Sequence, residues 1–141
     1  MAEGDGVFYN QFYYKKMSDE MNLTSGGDTL KMILVSGYTS DIDNHSVYAD
    51  VSGDEMSGTG YTAGGEEVTG KTVTKDNTNN KATFNAVDVT WSGLDIGTPS
   101  HAILRNVTHD CLICYWEVTT LSTGLNYNLE FDATGIMDLS S

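Results

Sequence analysis

The sequence predicts a mainly β protein, a β-sandwich or small barrel of about seven to eight short strands with one N-terminal α-helix. Short runs rich in Val, Thr and aromatic residues alternate with turns through the second half of the chain. Fifteen glycines in 141 residues are typical of frequent tight turns. One N-terminal segment has helical periodicity. The length is that of one ordinary domain, so residues 1–141 are predicted to form a single sandwich domain.

The helix is predicted over residues 7–21, where large side chains recur at intervals of four on two adjacent stripes. A helix that lies on a small sandwich buries one such stripe, so the other stripe is predicted to contact a partner. The alternative is that both stripes form one wide face on the domain's own core. The two stripes consist of Phe8 and Phe12, and of Tyr9, Tyr13 and Met17.

The strands follow from runs of apolar and β-branched residues separated by turn signals. Residues 29–36 and 111–118 are apolar on both faces, which indicates buried strands. The polar run 76–80 predicts a turn, and a change in the phase of the alternation predicts a break near Ala86. Residues 47–51 are compatible with one helical turn or a short strand. Further strands are predicted over 68–75, 81–86, 101–105 and 125–131.

The segment 125–131 has the clearest alternation in the chain. Its odd-numbered positions are apolar and its even-numbered positions are polar, which is typical of a strand with one wet face. The side chains predicted to be buried are Leu125, Tyr127, Leu129 and Phe131, opposite Asn126, Asn128 and Glu130.

The charge balance argues against some classes of binding partner. Twenty acidic side chains against seven basic ones give a formal net charge of −13. Such a surface repels phosphate, so neither nucleic acid nor an anionic membrane is expected as a partner. The same charge also favours solubility. No apolar run approaches the ~20 residues of a membrane span, and the acidic N-terminus does not resemble a signal peptide, so we expect synthesis in the cytoplasm.

Both cysteines, Cys111 and Cys114, fall in one predicted strand. Residues three apart on a strand point to opposite faces, which would keep the two sulfur atoms from pairing. We therefore predict buried, reduced thiols that pack as small hydrophobic groups.

Residues 65–72 read GEEVTGKT and match the phosphate-loop pattern G-x-x-x-x-G-K-T. A working loop follows a buried strand and leads into a helix, whose N-terminus holds the phosphate. Here a Gly-rich segment precedes the string, a Thr- and Val-rich strand follows it, and Glu66 and Glu67 would repel phosphate. The string is therefore predicted to be a β-hairpin element that binds no nucleotide.

Asp41, Asp43 and His45 resemble the start of a calcium loop. Ser46 and Ser52 stand where such a loop needs Gly and a bidentate Glu, so the calcium interpretation fails. Solvated loop carboxylates, or an irregular loop that holds a cation loosely, remain the alternatives.

His101, His109, Cys111 and Cys114 are the other candidate metal ligands. Their spacing fits no zinc motif, and strand geometry would scatter the side chains to both faces. We therefore predict no catalytic residue, no cofactor and no metal site, and we do not expect an enzyme.

The middle of the chain carries a series of turn and strand motifs. They read SGTGYTAGG at 57–65, TGKTVT at 69–74, DNTN at 76–79, ATF at 82–84 and DVTW at 88–91. Together with the aromatic opening, the segments 28–35 and 38–39, and the ending FDATGI at 131–136, they resemble a family of small acidic virion structural proteins of tailed phages and prophages. The chain departs from this family over 97–124, where RNVTHD at 105–110 is expected to face a partner particular to this phage.

The resemblance implies a capsid decoration (cement) protein of the virion, made in the host cytoplasm. Its expected partners are the major capsid protein and other copies of itself, in a symmetric homo-oligomer such as a trimer. The alternatives are a tail or fibre-attachment component, and a host-surface glycan-binding module that could stack sugar rings on Trp91, Trp116 and the many tyrosines if these side chains are exposed. Aromatic side chains are the expected anchors of a protein contact. The candidate contacts are Phe8, Tyr9, Phe12, Tyr13 and Tyr61.

Overall fold

The computed structural model describes residues 6–18, 21–118, 125–129, 131 and 136–140. In this part of the chain the fold is mainly β, as predicted, with ten strands, of which two are only two residues long, and one α-helix. The elements are β1 (Val7–Phe8), α1 (Asn10–Ser18), β2 (Leu30–Val35), β3 (Glu66–Glu67), β4 (Thr72–Asp76), β5 (Lys81–Asn85), β6 (Val89–Leu94), β7 (His101–Asn106), β8 (Cys111–Glu117), β9 (Leu125–Leu129) and β10 (Met137–Ser140), with 3₁₀ turns at Tyr48–Asp50 and Ser52–Asp54.

The strands form an antiparallel five-stranded sheet in the order β1-β8-β7-β2-β3, a three-stranded sheet β10-β5-β4 and a two-stranded sheet β6-β9. The two end strands of the largest sheet, β1 and β3, do not pair with each other, so this sheet is open. Of the two predicted architectures, the sandwich-like one is confirmed, and the described strands close no barrel.

The main core lies between one face of the five-stranded sheet and the two smaller sheets. Leu34 and Leu104 from the large sheet belong to the same buried cluster as Phe84 of β5, Trp91 of β6 and Leu129 of β9. All five side chains are at most 3% exposed. Alternation with period two places one set of side chains from each strand in this core, because successive residues point to opposite faces.

The strand predicted over 125–131 is present as β9, which pairs with β6. Tyr127, Leu129 and Phe131 are buried, so the prediction is confirmed for these three side chains. The remaining side chains of that prediction lie outside the described part of the chain, namely those of Leu125, Asn126, Asn128 and Glu130.

The opposite face of the five-stranded sheet is also covered. A second buried cluster includes Ile33 and Val35 of β2, Ile103 of β7 and Leu112 of β8, with Tyr38 from the following loop. The cover is the loop with its two 3₁₀ segments between β2 and β3, together with Tyr9 just before α1. The buried strands predicted over 29–36 and 111–118 are confirmed, because β2 and β8 each lie inside the sheet with both faces covered.

The helix is shorter than the predicted span 7–21, which is a correction. It begins at Asn10 and ends at Ser18, and Val7–Phe8 forms a strand instead. Val7 pairs with Tyr115 on the edge of β8. At this end of the segment the backbone therefore forms hydrogen bonds with the edge of β8 and does not extend the helix, although the aromatic side chains have helical spacing.

The cysteines also need a correction. A β-bulge lies between β7 and β8, because Leu104 is opposite Cys114 while Arg105 is opposite Leu112. The extra residue resets the alternation, so both cysteines join the main core instead of pointing to opposite faces. Both thiols are free and buried, as predicted. Burial raises the pKa of Cys111 to about 11 and that of Cys114 well above its usual value.

The predicted turn over 76–80 is confirmed as the connection of β4 to β5. The Oδ1 atom of Asp76 accepts hydrogen bonds from the backbone N–H groups of Thr78 and Asn79, and Asn80 adopts a left-handed φ of 55°. The predicted break near Ala86 lies between the end of β5 and the start of β6.

Candidate functional site

The helix α1 divides its large side chains between the domain and the solvent. Tyr9, just before the helix, and Phe12 are fully buried in the domain's own cores. Tyr13, Tyr14 and Met17 are 43%, 62% and 82% exposed. We call these three residues the docking face. Sequence periodicity identified Tyr13 and Met17 but missed Tyr14, which lies outside both predicted stripes, on the far side of the second one.

The helix is locally basic in an acidic protein. Its sequence contains Lys15 and Lys16 in the last turn and no acidic residue. The Lys16 ammonium nitrogen lies 5.4 Å from the ring centroids of both Phe12 and Tyr13, within cation–π range. The cation therefore lies beside the docking face, and a partner surface that carries carboxylates would complement it.

The other two aromatic candidates, Phe8 and Tyr61, contact residues of their own chain. Phe8 is half-buried and its ring centroid lies 5.7 Å from that of Phe12. The Tyr61 hydroxyl donates to the Glu55 carboxylate at 2.7 Å and accepts from the Leu34 backbone N–H at 3.1 Å. Of the five candidate contacts, Tyr9 and Phe12 present no surface to a partner of the folded domain, and Tyr13 presents the most.

Glu55 is the centre of a network that fixes the loops beside β2. Its carboxylate accepts hydrogen bonds from the hydroxyls of Tyr48 and Tyr61 and from the Gly64 backbone N–H at 2.8 Å. The Arg105 guanidinium stacks 4.0 Å from the Tyr48 ring centroid, and its Nε donates to the Gly64 carbonyl. Burial and the Glu55 carboxylate together raise the pKa of Tyr48 to about 12. The partners of the Glu55 carboxylate are therefore groups of its own chain, and these bonds hold the loops in place.

The phosphate-loop string lies in a strand, a turn and the start of another strand. Glu66–Glu67 is the edge strand β3, and Thr72 begins β4, so a strand follows the string where a nucleotide site needs a helix. Val68 continues along β2 by donating to the Leu30 carbonyl at 2.9 Å, after which the chain crosses to the three-stranded sheet. The predicted hairpin is therefore wrong, because the string connects two sheets.

The three calcium-loop candidates do not converge. The Asp41 carboxylate accepts from the backbone and side chain of Asn44 at 3.1 and 2.9 Å, and these bonds lower the pKa of Asp41. Asp43 accepts from the Asn10 side chain, whereas His45 points into the aromatic cluster on the outer face of the sheet. Throughout the described segments, no group of three or more His, Cys, Asp or Glu residues is arranged to hold a metal ion.

The zinc candidates are likewise separated. The ring of His101 packs against those of Tyr38 and Tyr115, with centroids 5.1 and 5.5 Å apart, and burial lowers the pKa of His101. The His109 Nε2 atom lies 3.2 Å from an Asp28 carboxylate oxygen. Both cysteines lie in the main core. These four candidate ligands therefore occupy three different places.

A buried polar cluster was missed by sequence reasoning. Asp28 is 8% exposed, and its Oδ2 atom accepts from the Asn106 side chain at 2.8 Å and from the Asn22 backbone at 3.0 Å, beside His109. Lys71 of the phosphate-loop string donates to the Asp28 main-chain carbonyl. We call Asp28, Lys71, Asn106 and His109 the Asp28 cluster. No spacing along the chain reveals it, since the pairing of Leu30 with Asn106 brings these segments together.

Neither tryptophan is exposed enough to contact a sugar at the surface of the folded domain. Trp91 and Trp116 are 1% and 5% exposed. Their rings pack against Tyr127 and Phe131, with centroids 5.8 and 5.7 Å apart. The condition for stacking sugars on these tryptophans, that they be exposed, is therefore not met, because strands β6 and β8 point both side chains into the main core.

No family model, curated protein or solved structure matches this chain. Among the described residues, no helix combines the length and apolarity required to cross a membrane.

Proposed function

We propose that this protein is a structural component of a tailed-phage virion, specifically a head decoration protein that docks on the capsid shell through α1. The observation that carries the proposal is the docking face, where Tyr13, Tyr14 and Met17 stand exposed beside a locally basic helix turn. Aromatic and methionine side chains are enriched in the cores of protein interfaces, so this surface suits attachment to another protein.

The use of the polar side chains supports a structural role. The Glu55 carboxylate has three hydrogen-bond donors from its own chain. Lys71 of the phosphate-loop string donates to the Asp28 carbonyl. These polar groups thus connect loops and sheets to one another, and such connections make the domain rigid.

The charge of the protein supports a place on the outside of a shell. A formal net charge of −13 opposes contact with packed DNA, because like charges repel. The nine residues of α1 contain two lysines and no acidic residue, so the helix itself is positive, and Asp19 and Glu20 follow it in the sequence. A capsid surface with carboxylates near an apolar patch would therefore bind α1 and repel the rest of the domain, which would also fix its orientation.

The second candidate is a tail or fibre-attachment component, which would use the same docking face at another place on the particle. The glycan-binding alternative loses both tryptophans, which are buried, and would depend on exposed tyrosines such as Tyr13 and Tyr14.

The test uses phage particles that lack the gene for this chain, mixed with purified protein and sedimented. We expect a Tyr14→Ser/Met17→Ser double variant to bind the particles at least about tenfold more weakly, since removing two central anchors costs more than 1.4 kcal/mol. The matched control is Val87→Ser, which changes a 58% exposed side chain elsewhere. The control should bind normally. Equal binding by the double variant and the unaltered protein would overturn the proposal.

A further inference from the structure

The Asp28 cluster brings an amine and a carboxamide to the same residue. Lys71 donates through Nζ to the main-chain carbonyl of Asp28, and Asn106 donates through Nδ2 to its carboxylate at 2.8 Å. Asn106 is fully buried and Asp28 is 8% exposed. Lys71 itself is half-buried, and its amine contacts Asp28 through the main-chain carbonyl. A lysine amine and an asparagine amide that meet at one buried aspartate are the reactants and the acid–base group for amide exchange between side chains.

The Asn106 amide is polarised at both of its ends. Its Oδ1 atom accepts a hydrogen bond from the His109 backbone N–H at 3.0 Å, a donor that would stabilise negative charge on that oxygen. Its Nδ2 atom is bonded to Asp28, which can protonate the leaving nitrogen. The imidazole of His109 lies 3.2 Å from the same carboxylate oxygen and connects the buried acid to the surface.

We propose that Lys71 and Asn106 become joined by an intramolecular isopeptide bond, with Asp28 transferring the proton. The Asp28 carboxylate takes a proton from the Lys71 ammonium, and the neutral Nζ then attacks the amide carbon of Asn106. A bond forms between Nζ and Cγ while the electron pair of the carbonyl moves to Oδ1. Asp28 returns its proton to Nδ2, the Cγ–Nδ2 bond breaks, and the second proton lost by Nζ leaves with the nitrogen as ammonium.

The bond would join the two layers of the sandwich. Lys71 immediately precedes β4 in the three-stranded sheet, and Asn106 is the last residue of β7 in the five-stranded sheet. A covalent link between them would prevent the layers from separating, as a disulfide does in other proteins. This inference is independent of the proposed function, since it concerns only groups within the chain.

The test is the intact mass of the purified full-length protein under denaturing conditions. We expect a mass about 17 Da below that of the encoded chain, equal to the loss of ammonia. Fragmentation should yield a branched peptide that connects the segments containing Lys71 and Asn106. The variant Lys71→Arg, which keeps the charge but has no reactive amine, should show its full mass. The matched control Lys75→Arg changes an exposed lysine on β4 and should keep the mass loss.

Three results would overturn the proposal. The first is a full mass for the unaltered protein. The second is a mass loss that survives in Lys71→Arg, because a succinimide formed within the chain at an asparagine also releases ammonia. The third is a branched peptide that maps to other residues. A cross-link that forms equally fast in Asp28→Asn would overturn the role of Asp28, since an amide cannot transfer the proton.

Discussion

The two faces of the five-stranded sheet are both buried, but by different means. The inner face packs against other strands, and its cluster consists mainly of apolar side chains such as Leu34, Leu104 and Trp91. The outer face packs against a loop, and tyrosine rings take a large share of its cluster. There the hydroxyls of Tyr9 and Tyr38 are joined by a 2.5 Å hydrogen bond. Strands cover the inner face by packing apolar side chains against it, whereas a loop covers the outer face and adds hydrogen bonds between polar side chains.

The polar atoms that are buried on the outer face need hydrogen-bond partners. A buried hydroxyl without a partner costs free energy, so each tyrosine there needs a hydrogen bond. Tyr38 also contacts His45 Nδ1 at 3.2 Å, and its ring meets Tyr115 edge-on with centroids 5.9 Å apart. Burial and the neighbouring Tyr38 hydroxyl raise the pKa of Tyr9. The stability of this face therefore depends on hydrogen bonds between side chains more than that of the inner face does.

The largest effect is expected from Leu129→Ala on the inner face. Leu129 is fully buried, so its truncation removes apolar contacts and leaves a cavity, at a cost of about 2–5 kcal/mol in the free energy of unfolding. Urea unfolding followed by the fluorescence of the buried tryptophans measures this cost. A neutral substitution would contradict the sandwich core as described.

A smaller effect is expected from Tyr9→Phe on the outer face. The ring stays in place, but the Tyr38 hydroxyl loses its buried partner, at a cost of about 1–2 kcal/mol. Tyr14→Phe removes an exposed hydroxyl and is the matched control, which should change the free energy of unfolding by less than about 0.5 kcal/mol. A Tyr9→Phe cost equal to that of Leu129→Ala would show that the two faces do not differ as proposed.

The outer loops should also make stability depend on alkaline pH. The pKa of Tyr48 rises from 10.0 to about 12 in the folded protein. The neutral phenol is therefore favoured by folding, and its contribution is complete below pH 10 and lost as the pH rises toward about 12. We expect the melting temperature to fall over this interval and Tyr48→Phe to fall less steeply. A slope unchanged by Tyr48→Phe would contradict the role given to Glu55.

The smallest effect on stability is expected at the docking face. Met17 is 82% exposed, so Met17→Ser should change the free energy of unfolding by less than about 0.5 kcal/mol. The same chemical denaturation that detects Leu129→Ala applies here. A loss above about 1 kcal/mol would mean that Met17 packs on its own domain, as in the wide-face alternative for the helix.

The inner face was predictable from the sequence because strands leave a period-two pattern. That pattern correctly identified the strand with Tyr127 and Leu129, and the apolar runs correctly identified β2 and β8. It failed at Cys111 and Cys114, because the bulge that resets the alternation depends on pairing with β7. The helix start was missed for a similar reason, since Val7–Phe8 joins an edge that only the folded sheet provides.

The outer face and the Asp28 cluster were much harder to predict. The segments that meet at Asp28 are far apart in the chain, as Asn106 is 78 residues away. Loop residues such as Tyr38 and Glu55 have no periodicity that indicates burial, and their partners are set by the sheet register. The docking face was predicted only in part, because the burial of Phe12 and exposure of Tyr14 depend on how α1 sits on β8.

The most direct test of the virion proposal is the number of copies of this chain in purified phage particles from a host that encodes it. Quantitative mass spectrometry of washed particles, with the major capsid protein as internal standard, measures that number. A head decoration protein should be present on the order of hundreds of copies, in fixed proportion to the shell subunits, as the symmetry of a capsid lattice requires. About a dozen copies would indicate a tail or fibre-attachment component instead. Complete absence from the particles would contradict the virion assignment itself.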